Sequence, residues 1–496
     1  YAFDLLYSIY EEEGYNPASI PSMILMNNLY GIEIDERAGE LAAFALSMKA
    51  RQKSRRFFND PVEPNICVLK NVKIEPDNLK EYVKHVGIDL FTEDVLTTLN
   101  QFEEADNFGS LIIPATSNAG EILKALSQNS MEGEMFLSET HYQIITALTQ
   151  AEYLSQKYHV VVANPPYMGG GNMNAKLSDF AKKQYPNSKS DMCTMFIERN
   201  LRLVVKQSNI AMITMQSWMF LSSYEKLRET LIRESTITSM AHLGARAFDS
   251  IGGEVVSTTA FVIENQFIQG KIGTFVRLVD GGSEKEKLTA LKEAIRNPDC
   301  GWFYRVSADE FQKIPGSPIA YWLSNNTINI FQYPKLSETG EVRQGLLTTD
   351  NARYLRLWFE ISFCNMGINL NRFQAKISGL RWFPINKGGE YRKWYGNLEY
   401  VVDWYNDGER LHEIVISKYP YLNGNSGLVL KKTNPYFEPG ITWTDISSGS
   451  HFGARMMPKG LLYEKGGSCA YHNNLYFLLG LLCSKVADHV LSFLNP

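Results

Sequence analysis

Cysteine is scarce and scattered in this chain: six residues, at 67, 193, 300, 364, 469 and 483, form no CxxC pair and no paired spacing. That excludes a disulfide framework, argues against a Cys-rich zinc site and favours a reducing, cytoplasmic setting. Eight histidines include no HxxxH or HExxH, so no metal is expected. No uncharged apolar run of about 18 residues occurs, so no transmembrane helix and no membrane association is expected. The first residues also lack the pattern of a signal peptide. A phosphate-binding GxxxxGK loop is absent, which argues against an ATPase, and no convincing Asp…Glu-x-Lys triad marks a nuclease. A net charge of −5 and a pI near 6.0 exclude a histone-like sheath for nucleic acid while leaving room for a local basic cleft.

What is present is enough apolar material for large cores. The 496 residues are 44% hydrophobic, and at about 150 residues per domain the length fits roughly three domains. The chain opens at Tyr1 directly into a helix, with Phe3, Leu6, Tyr7 and Tyr10 at helical spacing, and stops at LLCSKVADHVLSFLNP in mid-element. Both ends read as cuts, so the chain is expected to be an excised middle of a longer protein. A strand from Leu29 to Ile34 runs into a helix from Glu36, and a second strand is expected from Asn65 to Val72. Residues 73–155 read as mostly helical, interrupted by EADNFGSLI at 104–112. After KYHVVVANPPY, with a strand at Val160 to Ala163, helices and strands alternate, the signature of an α/β domain with a mostly parallel sheet. The rhythm fades across 270–345, where Pro, Gly and Trp become frequent, and a boundary falls near 340. Residues 365–465 carry 13 Lys and Arg against 9 Asp and Glu, a local surplus of positive charge.

Asn164-Pro165-Pro166-Tyr167 is the strongest chemical signal. It suits methylation of an exocyclic amine, a poor nucleophile because its lone pair is delocalised into the base. The Asn164 side-chain oxygen and the Pro165 carbonyl can accept both amino hydrogens and push the nitrogen toward a tetrahedral state. Consecutive prolines fix φ and carry no N–H, so the turn cannot close on its own acceptors. Tyr167 offers a flat face for an extruded base. An Asn/Asp-Pro-Pro-aromatic run arises by chance in about one or two chains of this length per hundred. The plainer alternative is an ordinary Pro-Pro turn, but the motif sits at the carboxyl end of an apolar strand, where α/β sheets place their sites. Glu33 in YGIEIDERA closes a strand before a helix, where an acid can accept both hydroxyls of a ribose, with Ile34 against the adenine face. Its alternative is an acidic helix start with Asp35 as cap.

The segments GIEIDERAGELA, ADNFGSLI, KYHVVVANPPYMGGG, MITMQSWMFLSSYEKLR and HLGARAFDSIGGEVVSTTAFVIEN together resemble the N6-adenine DNA methyltransferases of the Eco57I-like and MmeI-like type. Within that family the likeness is nearest to the methyltransferases of BREX phage-defence systems. It covers 1–345 well and 345–496 more loosely. The resemblance implies an α/β fold: a Rossmann-like methyltransferase core dependent on S-adenosylmethionine (SAM), with a helical insertion, followed by a mixed α+β target-recognition domain. The corresponding regions are 1–72 and 156–340 for the two parts of the core, 73–155 for the insertion and 341–496 for DNA recognition. It further implies methyl transfer to N6 of adenine in double-stranded DNA, with Asn164, Pro165, Pro166 and Tyr167 catalytic and Glu33, Ile34 and Asp106 (or its neighbour Asn107) at the cofactor. Phe248 matches an aromatic that stacks on the target base. The family's Gly-rich cofactor loop lies upstream of the helix with which this chain begins. Weak or absent SAM binding by these residues alone is therefore expected, and Gly169-Gly170-Gly171 reads instead as a mobile loop above the site.

In the tail, residues 434–467 resemble a target-recognition region. Lys431, Lys432, Arg455, Lys459 and Lys465, interleaved with Tyr436, Phe437 and Trp443, suit phosphate and base contacts; for any one of them a solvated surface role is the plainer reading. The implied partners are double-stranded DNA, other BREX defence proteins and a phage DNA-mimic inhibitor. Two other readings stay open: methylation of a different planar amide or amine, such as a glutamine side chain, and a DNA-recognition subunit that directs partner defence proteins, with methylation secondary or absent.

Overall fold

The computed structural model describes residues 1–127, 135–249, 256–445 and 452–494. They form two compact units, one of Tyr1–Trp218 with Ser223–Ala308, the other of Met219–Ser222 with Asp309–Pro496.

In the first unit α1 (Ala2–Glu12) buries Phe3 and Tyr7, one helical turn apart. Strand β1 (Tyr30–Glu33) pairs in parallel with β2 (Asn65–Val68), and α2 (Glu36–Lys53) makes the crossover that a parallel pair requires. The Asp35 carboxylate fixes where α2 starts by accepting the Ala38 N–H at 3.1 Å. Its pKa lies below the usual carboxylate value because of that N–H and the Arg37 guanidinium. The region expected to be helical contains Pro76–Val86, Glu93–Gln101, Ala119–Leu126 and α3 (Met135–Ser155). These pack around Tyr82, Phe102, Leu126, Ile144 and Leu148, all without solvent exposure.

The second layer is a six-stranded sheet of β3 (Tyr158–Ala163), β4 (Val204–Met215), β5 (Thr236–Gly244), β6 (Thr258–Glu264), β7 (Ile272–Arg277) and β8 (Phe303–Ser307), in the order β3-β4-β6-β5-β7-β8. Alternate residues of β4 and β6, among them Ile210, Met212, Phe261 and Ile263, are buried, as the two-residue period of a strand requires. The α/β class is as expected, but the sheet is mixed rather than mostly parallel. β3–β4 and β5–β7 are parallel, whereas β6 runs antiparallel to both neighbours and β8 antiparallel to β7. The parallel pair β3–β4 has α4 (Met192–Leu203) in its connection, and α5 (Glu225–Glu234) leads from β4 to β5. The sequence between β5 and β6 has no helical period, and an antiparallel return needs no crossover helix. After β7, α6 (Glu284–Arg296) leads to β8, so the sheet continues to Ser307, into the stretch where the sequence rhythm fades.

The second unit holds two four-stranded sheets. One runs β10 (Leu355–Leu357), β12 (Tyr400–Asp403), β11 (Trp382–Asn386), β15 (Leu462–Tyr463); the other runs β14 (Ala454–Met457), β13 (Gly440–Trp443), β16 (Cys469–Tyr471), β9 (Glu341–Arg343). The abundant aromatics form its core, with Trp404 and Tyr463 edge-on to Tyr436 at 5.7 and 5.1 Å and Phe383 edge-on to Phe437 at 5.7 Å.

Ile144, inside the helical layer, and Leu41, 67% exposed on α2, make a controlled pair. Ile144→Ala is expected to cost about 2–5 kcal/mol and Leu41→Ala less than about 0.5 kcal/mol, read from urea-unfolding midpoints followed by helical circular dichroism.

Candidate active site

Two strand ends create the site. At the end of β1, Glu33 folds back on its own turn, and its Oε1 accepts the N–H groups of Ile34 at 2.8 Å and Asp35 at 3.2 Å. Oε2 has no hydrogen-bond partner among the described residues, so a pre-oriented carboxylate oxygen remains available. Ile34 is 47% exposed, an apolar side chain in the open beside that carboxylate. Gly109 lies against it: φ is +57°, and a Cβ there would sit 3.0 Å from Ile34 Cγ2. The glycine of ADNFG is thus required both by the left-handed backbone and by the close approach.

At the end of β3, Asn164 is exposed, Pro165 buried, and Tyr167 half-buried. The Tyr167 hydroxyl donates to Asn164 Oδ1 at 3.3 Å. Burial, reinforced by Cys193 and Asp191, pushes the phenol up to about 12, so it stays protonated and a donor at neutral pH. The Gly169–Gly171 run is not a free loop. Gly169 forms a bridge with Asp191, the Gly170 N–H donates to the Ser190 carbonyl at 2.9 Å, and the Met192 N–H donates to Met168 O at 3.0 Å. Asp191 also caps α4 by accepting the Cys193 N–H at 3.0 Å, so the loop is tied to a helix start.

Glu33, Ile34, Asn107, Phe108, Asn164 and Pro166 line one cleft of about 540 Å³, which also has β1 and β3 side chains in its walls. Tyr30 and Tyr158, at the first residues of the two strands, meet with ring centroids 5.6 Å apart. β1 has only β2, and β3 only β4, as strand neighbour among the described residues. Of the pair named in ADNFG, Asn107 is in the cleft wall. Asp106 is exposed, and its backbone N–H donates to Asn71 Oδ1 at 3.0 Å. Asn107 exchanges side-chain hydrogen bonds with Asn174, one of them 2.9 Å long, joining the 105–108 turn to the helix Ala175–Gln184. Phe108 stacks on Phe180 at 4.3 Å. Sequence reasoning passed over Phe108 although it adjoins the flagged pair.

Phe248 is half-buried between β5 and β6 and, like Tyr167, is not part of that cleft's wall. In the second unit Lys459 and Lys465 are exposed and Lys431 and Lys432 partly so. Arg455 has no solvent exposure and donates from Nη2 to Thr444 Oγ1 at 3.1 Å, and Tyr436 and Phe437 are core residues. These three are interior groups rather than surface readers, because β14 and the aromatic core face inward there. Residues 446–451 of the recognition-like segment, and 250–255 of the segment after Phe248, lie outside the described residues. Among the described residues no group of three or more His, Cys, Asp or Glu is placed to hold a metal, and no single helix is long and apolar enough to cross a membrane.

The two glycine sites behave oppositely under substitution. Gly109→Ala is expected to lose about 1–2 kcal/mol from its left-handed φ and its contact with Ile34. Gly171→Ala, where a Cβ meets nothing within 4 Å, is expected to stay within about 0.5 kcal/mol; urea midpoints of the two variants compare them directly.

Residues 27–248 match the family model of the Eco57I restriction-modification methylase. Over its whole length the chain is 37% identical to an adenine-specific methyltransferase, PglX, of Lacticaseibacillus casei (strain Zhang) and 38% identical to an adenine-specific methyltransferase, BrxX, of Escherichia coli O9:H4 (strain HS). It spans 41% of the length of each of these relatives. Among solved structures, the fold is similar to a nuclease-deletion mutant of the Type ISP restriction-modification enzyme LlaGI, solved in complex with a DNA substrate mimic. That likeness has a TM-score of 0.50 at 11% identity and covers 98% of this chain and 41% of that one. The strand-end carboxylate of Glu33 and the Asn164–Tyr167 turn both fall inside residues 27–248, the region that is similar to the Eco57I restriction-modification methylase model.

Proposed function

We propose that the protein of which this chain is part transfers a methyl group from S-adenosylmethionine to N6 of adenine in double-stranded DNA, as the methyltransferase of a BREX-type phage-defence system. The observation that carries the reading is the convergence of Glu33 and Asn164, from the ends of two separate strands, on one cleft. The cofactor fits the residues present. Glu33 keeps an unengaged oxygen for ribose hydroxyls, Ile34 presents an apolar face for adenine, and Asn107 adds a polar group in the same wall. Among the described residues β1 and β3 each have a single strand neighbour, which leaves room beside them for a further strand. In this reading the first unit is a Rossmann-like core with a helical insertion, and DNA recognition lies in the C-terminal region through lysines such as Lys431, Lys432 and Lys459.

The bound cofactor supplies a methyl group on a sulfonium, so the protein needs no nucleophile of its own. The chain's residues orient and polarise. The Tyr167 hydroxyl, donating to Asn164 Oδ1, fixes which end of the amide faces the site. Asn164 Oδ1 keeps a second lone pair for an amino hydrogen, and the Pro165 carbonyl accepts the other. Charge developing on the amine nitrogen is then met by two acceptors already in place, and catalysis is positioning plus electrostatic support.

Asn164→Ala in the full-length protein is expected to lower incorporation of labelled methyl groups into adenine-unmethylated DNA by about 10²–10³-fold with DNA binding unchanged. Wild-type incorporation by that variant would overturn the assignment of Asn164, whereas a variant that transfers no methyl yet still binds DNA and supports phage defence would favour a recognition role in which methylation is secondary.

A further inference from the structure

The segment that leaves β5 and carries Phe248 is anchored at both ends by one helix, α6. At its start, Lys287 is 3% exposed, and its Nζ donates to the Leu243 carbonyl at 2.7 Å and the Leu278 carbonyl at 2.9 Å. These carbonyls stand at the carboxyl ends of the adjacent parallel strands β5 and β7, where the Leu278 N–H still reaches His242 O at 2.8 Å. A single buried cation therefore closes the ladder at the point where the chain turns away. The turn itself is tight. Gly244 has φ +66°, and a Cβ there would lie 2.9 Å from Val279 Cγ1. At the far end of the segment, Asp249 and Glu284 bind each other reciprocally. The Asp249 N–H donates to Glu284 Oε1 at 2.8 Å, and the Glu284 N–H donates to Asp249 Oδ1 at 3.1 Å. Glu284 is the first residue of α6, so Asp249 satisfies one of that helix's open N–H groups from 35 residues away. Ser283 Oγ takes the Glu286 N–H at 3.3 Å and Glu286 Oε2 takes the Gly282 N–H at 2.8 Å, which fixes the first turn from the other side.

We propose that the first turn of α6 is a seat for the 243–249 segment, with Asp249, Glu284 and Lys287 as positioning residues that hold Phe248 ready for the displaced target base. This rests on the adenine-methylation reading and on Phe248 as the stacking aromatic. Phe248 adjoins the anchored Asp249, so its backbone is set before DNA arrives. A stacking group that is already ordered avoids the entropy of ordering on binding, and a displacement of about 1 Å at such a group can cost about 100-fold in rate. Neither Lys287 nor Asp249 touches the reacting atoms; they act only through the segment between them.

The test uses the full-length protein, with methyl incorporation measured against DNA concentration for Asp249→Ala, Asp249→Asn, Phe248→Ala and the double variant Phe248→Ala/Asp249→Ala. Asp249 is exposed and Phe248 half-buried, and removing the Asp249 acceptor from the start of α6 is expected to destabilise the protein, so unfolding midpoints are measured for all four and rates are compared at a temperature where each is folded. Asp249→Ala is expected to lower kcat at least about tenfold. Asp249→Asn, which keeps the acceptor oxygen, restores the rate. The double variant is expected to be no slower than Phe248→Ala, because both changes remove the same positioned ring. A fully active Asp249→Ala beside an impaired Phe248→Ala would overturn the seat and leave the base-stacking reading standing, as would losses that multiply in the double variant. An unimpaired Phe248→Ala would overturn the stacking role itself, and with it the proposal.

Discussion

Glu33 and Asn164 face a common cleft because the chain is forced to stop being strand at both places. After Glu33 the Asp35 carboxylate captures the Ala38 N–H and starts a helix. After Ala163 two prolines remove the N–H donors that would continue the ladder. Each break leaves a polar side chain at a strand's carboxyl end with nothing behind it in the sheet. The same breaks organise the surroundings. Gly109 closes on Ile34, Asn107 ties to Asn174, and the glycine loop is stitched to the cap of α4 through Asp191. The cleft is thus held by capping and turn chemistry rather than by any single strong bond, and its groups are set before a ligand enters.

Much of this was legible in the sequence because the signals were local. Strand β1, helix α2, β3 with its Pro-Pro stop, and α4 through β6 follow from apolar periodicity and capping residues at short range. What was not legible depends on pairing between distant segments. The antiparallel insertion of β6 between β4 and β5 reverses the expected parallel order, since residues of a strand carry no mark of their neighbour's direction. The glycines after the Asn-Pro-Pro-Tyr turn read as loose, yet Ser190 and Asp191 hold them from about twenty residues on. The choice between Asp106 and Asn107 likewise turned on which side chain faced the cleft, which short helical turns decide and composition does not.

The second unit shows a different limit. Its excess of Lys and Arg suggested a basic reading surface, but part of that charge is paired with the unit's own acids. Arg381 and Arg410 both pair with the buried Asp403, and Arg372 makes two bonds to Asp407 while donating to the Lys432 carbonyl at 2.7 Å. Arg455 is enclosed altogether. Counting charge along a loop-rich sequence overstates what reaches a phosphate backbone, because irregular chains use arginine to satisfy buried carbonyls and acids. Lys459 and Lys465 are exposed, whereas Lys393 bonds to the Cys483 carbonyl and Asp488.

A crystal structure of the full-length protein with sinefungin, a SAM analogue, tests the central claim most directly. The account predicts the analogue in the cleft between β1 and β3, with Glu33 Oε2 accepting its ribose hydroxyls, the adenine against Ile34, and the amine that stands in place of the transferable methyl group directed toward Asn164. An analogue bound elsewhere, with Glu33 Oε2 making no contact to a ribose, would contradict it.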